Sequence, residues 1–210
     1  MSLDTYTGLQ AAVLAKLMRT NDADAIARIP DWITMAENEL RMALTRLTLR
    51  QGEVVNSSYV IAGEYNALPT GFLRQRNLKI TSPSVMQLDY IAPETADSWS
   101  IEQAALPRLY TIQGNQLRVF PVPDVTYTAT FTFYSLTPLS VTNTTNWLLT
   151  AHPKLYFVAT LAEAFAYYEK EDGLQIAISE RERMLSAIYT SDGADQQGSN
   201  MRIRVRGNTP

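Results

Sequence analysis

Apolar positions follow a helical period over about residues 5–50, a strand period over about 55–142, and a helical period again over about 146–190. In the first segment Tyr6, Leu9, Val13, Leu17 and Met18 recur at three- and four-residue spacing, which places them on one face of a helix over about 5–19. Asn21, Asp22, Ala23 and Asp24 break that pattern. A second, longer helix is expected to open at Pro30, because proline's fixed φ suits the first helical position and its missing N–H costs nothing there. Its apolar stripe is Trp32, Ile33, Ala36, Leu40, Ala43, Leu44 and Leu47, with Asn38, Arg41 and Thr45 on the other side and an end near Gly52. The pair reads as an antiparallel helical hairpin.

The middle of the chain changes period. Tyr127, Ala129, Phe131 and Phe133 alternate with Thr126, Thr128, Thr130 and Thr132, a half-buried strand of β-favouring residues. Upstream, strands over 110–113 and 116–120 flank Gly114-Asn115, where a leading glycine suggests a type II′ turn. Pro121 and Pro123 close the second of these. Shorter strand candidates cover 58–62 and 85–90, and 94–104 reads as a short surface helix. These strands suffice for a small antiparallel sheet or a compact sandwich.

Helical spacing resumes after Asn146, with Pro153 in a first turn. Leu155, Val158, Ala159, Ala162, Phe165 and Ala166 share a face, while Tyr156, Phe157, Leu161, Tyr167 and Tyr168 fall largely outside it. A helix apolar nearly all round is buried on more than one side, and in a chain this small the second side points to another subunit. Tyr156, Phe157, Leu161, Glu163 and Tyr167 are therefore the candidate subunit-interface residues. A last amphipathic helix over about 174–189 turns Ala177, Ile178, Leu185 and Ile188 inward, and 192–200 reads as a Gly/Ser/Gln linker. Beyond it Met201, Arg202, Ile203, Arg204, Val205 and Arg206 alternate aliphatic residues with arginines, so a strand there would carry three guanidiniums on one face. The fold class that follows is α+β. N- and C-terminal helices (1–54 and 146–191) form a bundle, 55–145 is an inserted antiparallel β region, and 192–210 is a linker with a strand-like arm.

Composition narrows the function more than the fold. At 210 residues, 46% hydrophobic and 19% charged, the chain makes one domain or two small ones. It has no cysteine and a single histidine, His152, which excludes disulfides, thiolate metal sites and a cysteine nucleophile. A formal net charge of −3 lacks the basic surplus of proteins that grip nucleic-acid phosphates. The start, Met1-Ser2-Leu3-Asp4, is unlike a signal peptide, and no apolar run is long enough to span a membrane, so the expected setting is intracellular.

Candidate chemistry is sparse. His152 is a possible proton shuttle, although its place before Pro153 suits a helix-terminal structural role. Glu163 sits in an apolar helix, where burial could raise its pKa or where Arg41, Arg181 or a neighbouring subunit could pair with it. Asp22 and Asp24 lack the glycine and distal glutamate of a calcium loop, and Glu169, Glu171 and Asp172 read as a solvated helix end. Neither a phosphate-binding glycine loop nor a Gly-x-Ser-x-Gly elbow is present. No cofactor or metal is expected, and an interaction protein is favoured over an enzyme. The alternative left open is a carbohydrate-active or sugar-binding module in the β region, which needs two carboxylates facing each other at roughly 5 to 10 Å.

The run Trp147-Leu148-Leu149, then Pro153, Tyr156, Leu161, Ala164 and Tyr168 up to Glu169-Lys170-Glu171-Asp172, resembles phage head-to-tail adaptors of the tail tubular protein A type and related connectors. Ala36-Glu37-Asn38-Glu39-Leu40-Arg41, Leu68-Pro69-Thr70-Gly71-Phe72-Leu73-Arg74, Gly114-Asn115-Gln116-Leu117 and Pro121-Val122-Pro123 follow the same order of parts. The resemblance implies a homo-oligomeric ring, typically of twelve copies, in the virion between the portal protein and the tail nozzle. DNA would pass through it without sequence-specific binding. It also implies that Met201 to Arg206 form an arm anchored on the portal, and that assembly takes place in the bacterial host cytoplasm.

Overall fold

The two changes of hydrophobic period become the limits of two units in the computed structural model, which describes residues 3–45, 50–97 and 103–197, the last six as helix backbone only. Gln51–Thr137 forms one unit, inserted into a second built from the chain on either side of it. Residues 138–145, expected with the strands, belong instead with the helices.

In the helical unit, Thr5 caps α1 (Tyr6–Lys16) by accepting the Gly8 N–H at 3.2 Å. Tyr6, Leu9, Val13, Leu14 and Leu17 are buried. Met18, expected on the same face, lies past the helix end at φ 58° and is 93% exposed, because the left-handed turn after α1 swings it outward. The second helix, α2 (Ala23–Thr45), starts earlier than Pro30. Asp22 caps it, its carboxylate accepting the N–H groups of Asp24 (3.0 Å) and Ala25 (3.4 Å). Pro30 therefore sits inside the helix and cannot bond the Ile26 carbonyl, a cost of about 3 kcal/mol in an isolated helix. Burial of Ile29, Trp32 and Ile33 around it offsets that cost.

Asn146 caps α4 (Trp147–Ala151), accepting the Leu149 N–H at 2.9 Å, and Pro153 opens α5 (Pro153–Tyr167) as its φ suggests. The last helix, α6 (Glu171–Gln197), runs through 192–197, the first part of the 192–200 stretch expected as a Gly/Ser/Gln linker. Helix α5 packs against α1, α2, α4 and α6 and is the centre of the unit.

One buried carboxylate joins three of these parts. Glu37 of α2 is 4% exposed and accepts the Leu139 N–H and the Tyr156 O–H, both at 2.9 Å on Oε1. Asn146 Nδ2 in turn donates to the Tyr156 hydroxyl at 2.7 Å. Burial pushes the Glu37 carboxyl above its usual range, and the Leu139 and Tyr156 hydrogen bonds and the Arg41 charge pull it back only in part.

The inserted unit holds β1 (Glu53–Ile61), β2 (Tyr65–Ala67), β3 (Phe72–Ile80), β4 (Met86–Tyr90), α3 (Pro93–Asp97), β5 (Leu109–Gln113), β6 (Gln116–Phe120) and β7 (Tyr127–Ser135). They form one sheet in the order β1-β7-β3-β4-β5-β6-β2. All pairs are antiparallel except β4/β5, which run parallel (Asp89 beside Leu109, Tyr90 beside Tyr110), so the expectation of a purely antiparallel region is corrected there. The connection through α3 allows this, since parallel neighbours need a crossover. Tyr59 and Ile61 at one end of the sheet and Leu117 and Val119 toward the other share a core with Leu78, Ile80, Leu88 and Phe131. The sheet therefore curls around a single apolar interior.

Gly114 and Asn115 both have positive φ (57° and 64°), so the β5–β6 hairpin is a type I′ turn and not II′. Gly71 is required, because at φ 75° a Cβ would lie 2.8 Å from the Leu136 carbonyl oxygen. No helix among the described residues is long and apolar enough to cross a membrane.

Replacing Glu37 by alanine strands a buried N–H and a buried hydroxyl, and is expected to cost about 3–5 kcal/mol in urea unfolding. Tyr156→Phe, which removes only the hydroxyl, should cost about 1–2 kcal/mol. The raised Glu37 pKa also sets a sign. Between its usual value of 4.5 and the raised one, the folded chain keeps a proton that the unfolded chain has released, so this group's contribution falls as pH rises through that window. Glu37→Gln should remove this decline, read as a smaller loss of stability from pH 4.5 to 7.5 than in the unaltered chain.

Candidate functional site

The α5 face expected to meet another subunit is mostly covered within its own. Tyr156 is fully buried and held by Glu37 and Asn146, so it presents nothing outward. The reason lies on α2, whose buried Glu37 draws in a tyrosine that the apolar spacing placed outside the core face. Leu161 is 5% exposed. Tyr167 is 43% exposed, but its ring lies 5.5 Å from that of Trp32, Arg28 sits 4.9 Å above it, and its hydroxyl donates to Asp24 at 3.1 Å. Glu163 is half-buried, and desolvation pushes its carboxyl up. The ion pair with Arg181 considered for Glu163 is not formed, since Arg181 pairs with Glu39 and so ties α6 to α2.

What remains of the apolar face is a groove. Phe157, Leu161 and Phe165 of α5 make its floor, Lys16 of α1 lies on one rim, and Gly173, Ile176 and Glu180 of α6 lie along the other. Its volume is about 340 Å³. Phe157 and Phe165 are only half-buried, and Ile176 is 71% exposed. Gly173 lets α6 approach: a Cβ there would stand 3.1 Å from the Phe165 ring. Glu180 accepts from Lys154 and from Arg183 (2.8 Å), and these partners hold its carboxyl down at about 2.

The sequence reading named Phe157 and Leu161 as interface candidates, set Phe165 on the inward face and did not name the rim. Gly173 and Ile176 were the available signal, a small residue and a large apolar one three apart near the start of the last helix. The other candidate interface, Met201, Arg202, Ile203, Arg204, Val205 and Arg206, lies outside the described residues.

The carboxylates weighed for catalysis have structural positions. Asp22 caps α2 and binds Arg19, whose guanidinium also lies 4.0 Å over the Tyr168 ring. His152 lies between α4 and α5, where its backbone N–H reaches the Leu148 carbonyl at 2.8 Å and its carbonyl accepts from Leu155 at 3.0 Å. Burial lowers its imidazole pKa. In the inserted unit Glu64 and Asp97 both accept from Arg118 (2.7 and 3.2 Å), an arrangement that fixes a surface turn. Among the described residues no three histidine, cysteine or carboxylate side chains are grouped to hold a metal ion. Among the described residues the α1–α5–α6 groove is an apolar packing surface, and the acids and the histidine weighed above stand in structural contacts.

Among curated proteins none matches the sequence. The family model described as SU10 adaptor protein matches residues 4–206, a span that takes in α1, the whole inserted sheet and α6. With the match reaching across both units, the chain belongs to the SU10 adaptor protein family, a family of phage head-to-tail adaptors.

Proposed function

We propose that copies of this chain assemble into a ring of twelve that seats on the portal, receives the tail nozzle on its other side and continues the DNA channel between them. The family match over residues 4–206 carries this reading. The protein acts through assembly geometry and not through catalysis, in the virion at the portal–tail junction, after assembly in the host cytoplasm. Two properties of the chain support it. A formal net charge of −3 suits a conduit through which DNA must slide without adhering. An apolar groove on the helical unit suits a ring, in which one patch of each copy meets a different patch of the next. In this reading Met201 to Arg206 form the arm that anchors each copy on the portal, their arginines setting register by charge.

Native mass measurement is expected to give a multi-copy assembly of fixed stoichiometry when the full chain is mixed with its portal ring. A chain that stays monomeric beside the portal would overturn the proposal. Truncation after Gln197 should leave a folded subunit by circular dichroism that is no longer retained by the portal in a pull-down. Undiminished retention would remove the arm's role and leave the ring untouched.

A further inference from the structure

Nearer its end, α6 carries a second recess, and the chain that follows the helix is long enough to return to it. A cleft of about 340 Å³ between α2 and α6 is lined by Ala43, Leu185, Ser186, Tyr189 and Thr190. Tyr189 is 60% exposed, so a large aromatic side chain stands there largely uncovered. Arg181 pairs with Glu39, and one turn on in both helices Leu185 shares the cleft with Ala43, so α2 and α6 run in the same direction along this seam. Glu182 is exposed and lies on the same stripe of α6, one turn before Leu185 and Ser186. Among the described residues it is in no ion pair, because its neighbours Arg181 and Arg183 are taken by Glu39 and Glu180.

Length decides what can reach this cleft. After Gln197 the sequence continues with Gly198, Ser199 and Asn200, the residue types of a chain reversal. A strand returning along α6 from such a reversal gains about 3.3 Å per residue, against about 1.5 Å for the helix. Ile203 then stands about 10 Å back from Gln197, level with Thr190. Val205 stands about 17 Å back, level with Ser186. Alternation puts Met201, Ile203 and Val205 on one side of such a strand, and the heights of the last two are those of the cleft. The α1–α5–α6 groove lies past them, because its nearest α6 residue, Glu180, is about 26 Å from the helix end.

Charge then chooses between the two sides of α6. Its α5 side also holds a recess at this height, where His152 and Arg183 stand with Met184, Ala187 and Ile188. Arg206 comes about 20 Å back, near the level of both Glu182 and Arg183. On the α2 side its long side chain meets an unpaired carboxylate, and on the α5 side it meets a like charge. We infer that residues 201–206 of the free subunit lie back on its own α2–α6 cleft, with Ile203 against Tyr189 and Thr190, Val205 against Leu185 and Ser186, and Arg206 beside Glu182. The consequence rests on the portal-arm reading above: the segment that anchors on the portal is held on its own subunit until the portal displaces it. Two aliphatic side chains and one exposed ion pair make a contact weak enough for a partner to displace.

The absence of cysteine from the chain makes the test direct. Ser186→Cys with Val205→Cys in the full chain, oxidised without the portal, should close a disulfide within the monomer, read by mass and on a non-reducing gel. Val205→Cys paired with Ala187→Cys, on the α5 side, or with Ile176→Cys, in the other groove, should close about tenfold more slowly. Glu182→Lys should slow the 186–205 bridge about threefold, and Arg206→Glu added to it should restore the rate. Equal rates for the three pairs, or a bridge that forms only between copies, would overturn the docking. The bridged chain is expected to lose retention by the portal in a pull-down and to regain it on reduction. A 186–205 bridge that closes at the expected rate in a chain still fully retained by the portal would overturn the portal role of the arm and leave the docking in place.

Discussion

A carboxylate held out of water by its own hydrogen bonds organises the helical unit. Glu37 satisfies a backbone N–H of the chain returning from the inserted sheet and a tyrosine hydroxyl of α5, and Asn146, the cap of α4, closes the network on that tyrosine. A buried acceptor of this kind contributes little net stability while intact, because each bond replaces one to water. It is costly to disrupt, since every alternative packing leaves a polar group stranded. That asymmetry suits a subunit whose two helical segments are separated by 87 residues of sheet. Apolar packing alone would accept several registers of α5 against α2. The Glu37–Tyr156 bond accepts one, and the relative heights of every residue on those two helices follow from it.

Much of this was legible in the sequence where the signal was a period. The strand at Tyr127–Ser135, the α5 helix from Pro153 and the division into helices around strands all follow from apolar spacing. The strand β3 was missed because Arg74, Arg76 and Lys79 interrupt its alternation, leaving only Leu78 and Ile80 fully buried. Pro30 misled in the opposite way. A proline at a first turn is favourable, but Asp22 supplied a cap seven residues earlier, and the buried Ile29, Trp32 and Ile33 carried the helix across the missing bond. Residues 192–197 continue a helix because neighbours in the same helix outweigh weak local propensity.

The site was harder to read, for a related reason. Apolar spacing reports that a side chain is covered without saying by what. Tyr156 and Phe157 stand side by side in the sequence and look alike by composition. One is fully buried because α2 places a carboxylate opposite it; the other is half-buried because α1 and α6 part over it. That difference lies in the partners 119 residues away and not in the helix itself. Glu37, the most consequential polar residue, carried no signal beyond being an acid four residues before Arg41 on a helix.

These two facts belong together. A network that admits one register of α5 against α2 also fixes where along the bundle the Phe157–Phe165 floor lies relative to α2. An apolar groove keeps its shape only if its floor and rims hold their relative offset, and the core beneath them sets that offset. A sliding error of one helical turn, about 5.4 Å, would carry the Phe157–Phe165 floor past the rim that α6, tied to α2 by Arg181 and Glu39, holds beside it. A direction-specific polar bond at the centre of the helical unit supplies that constraint, and an apolar core of equal stability without it would not.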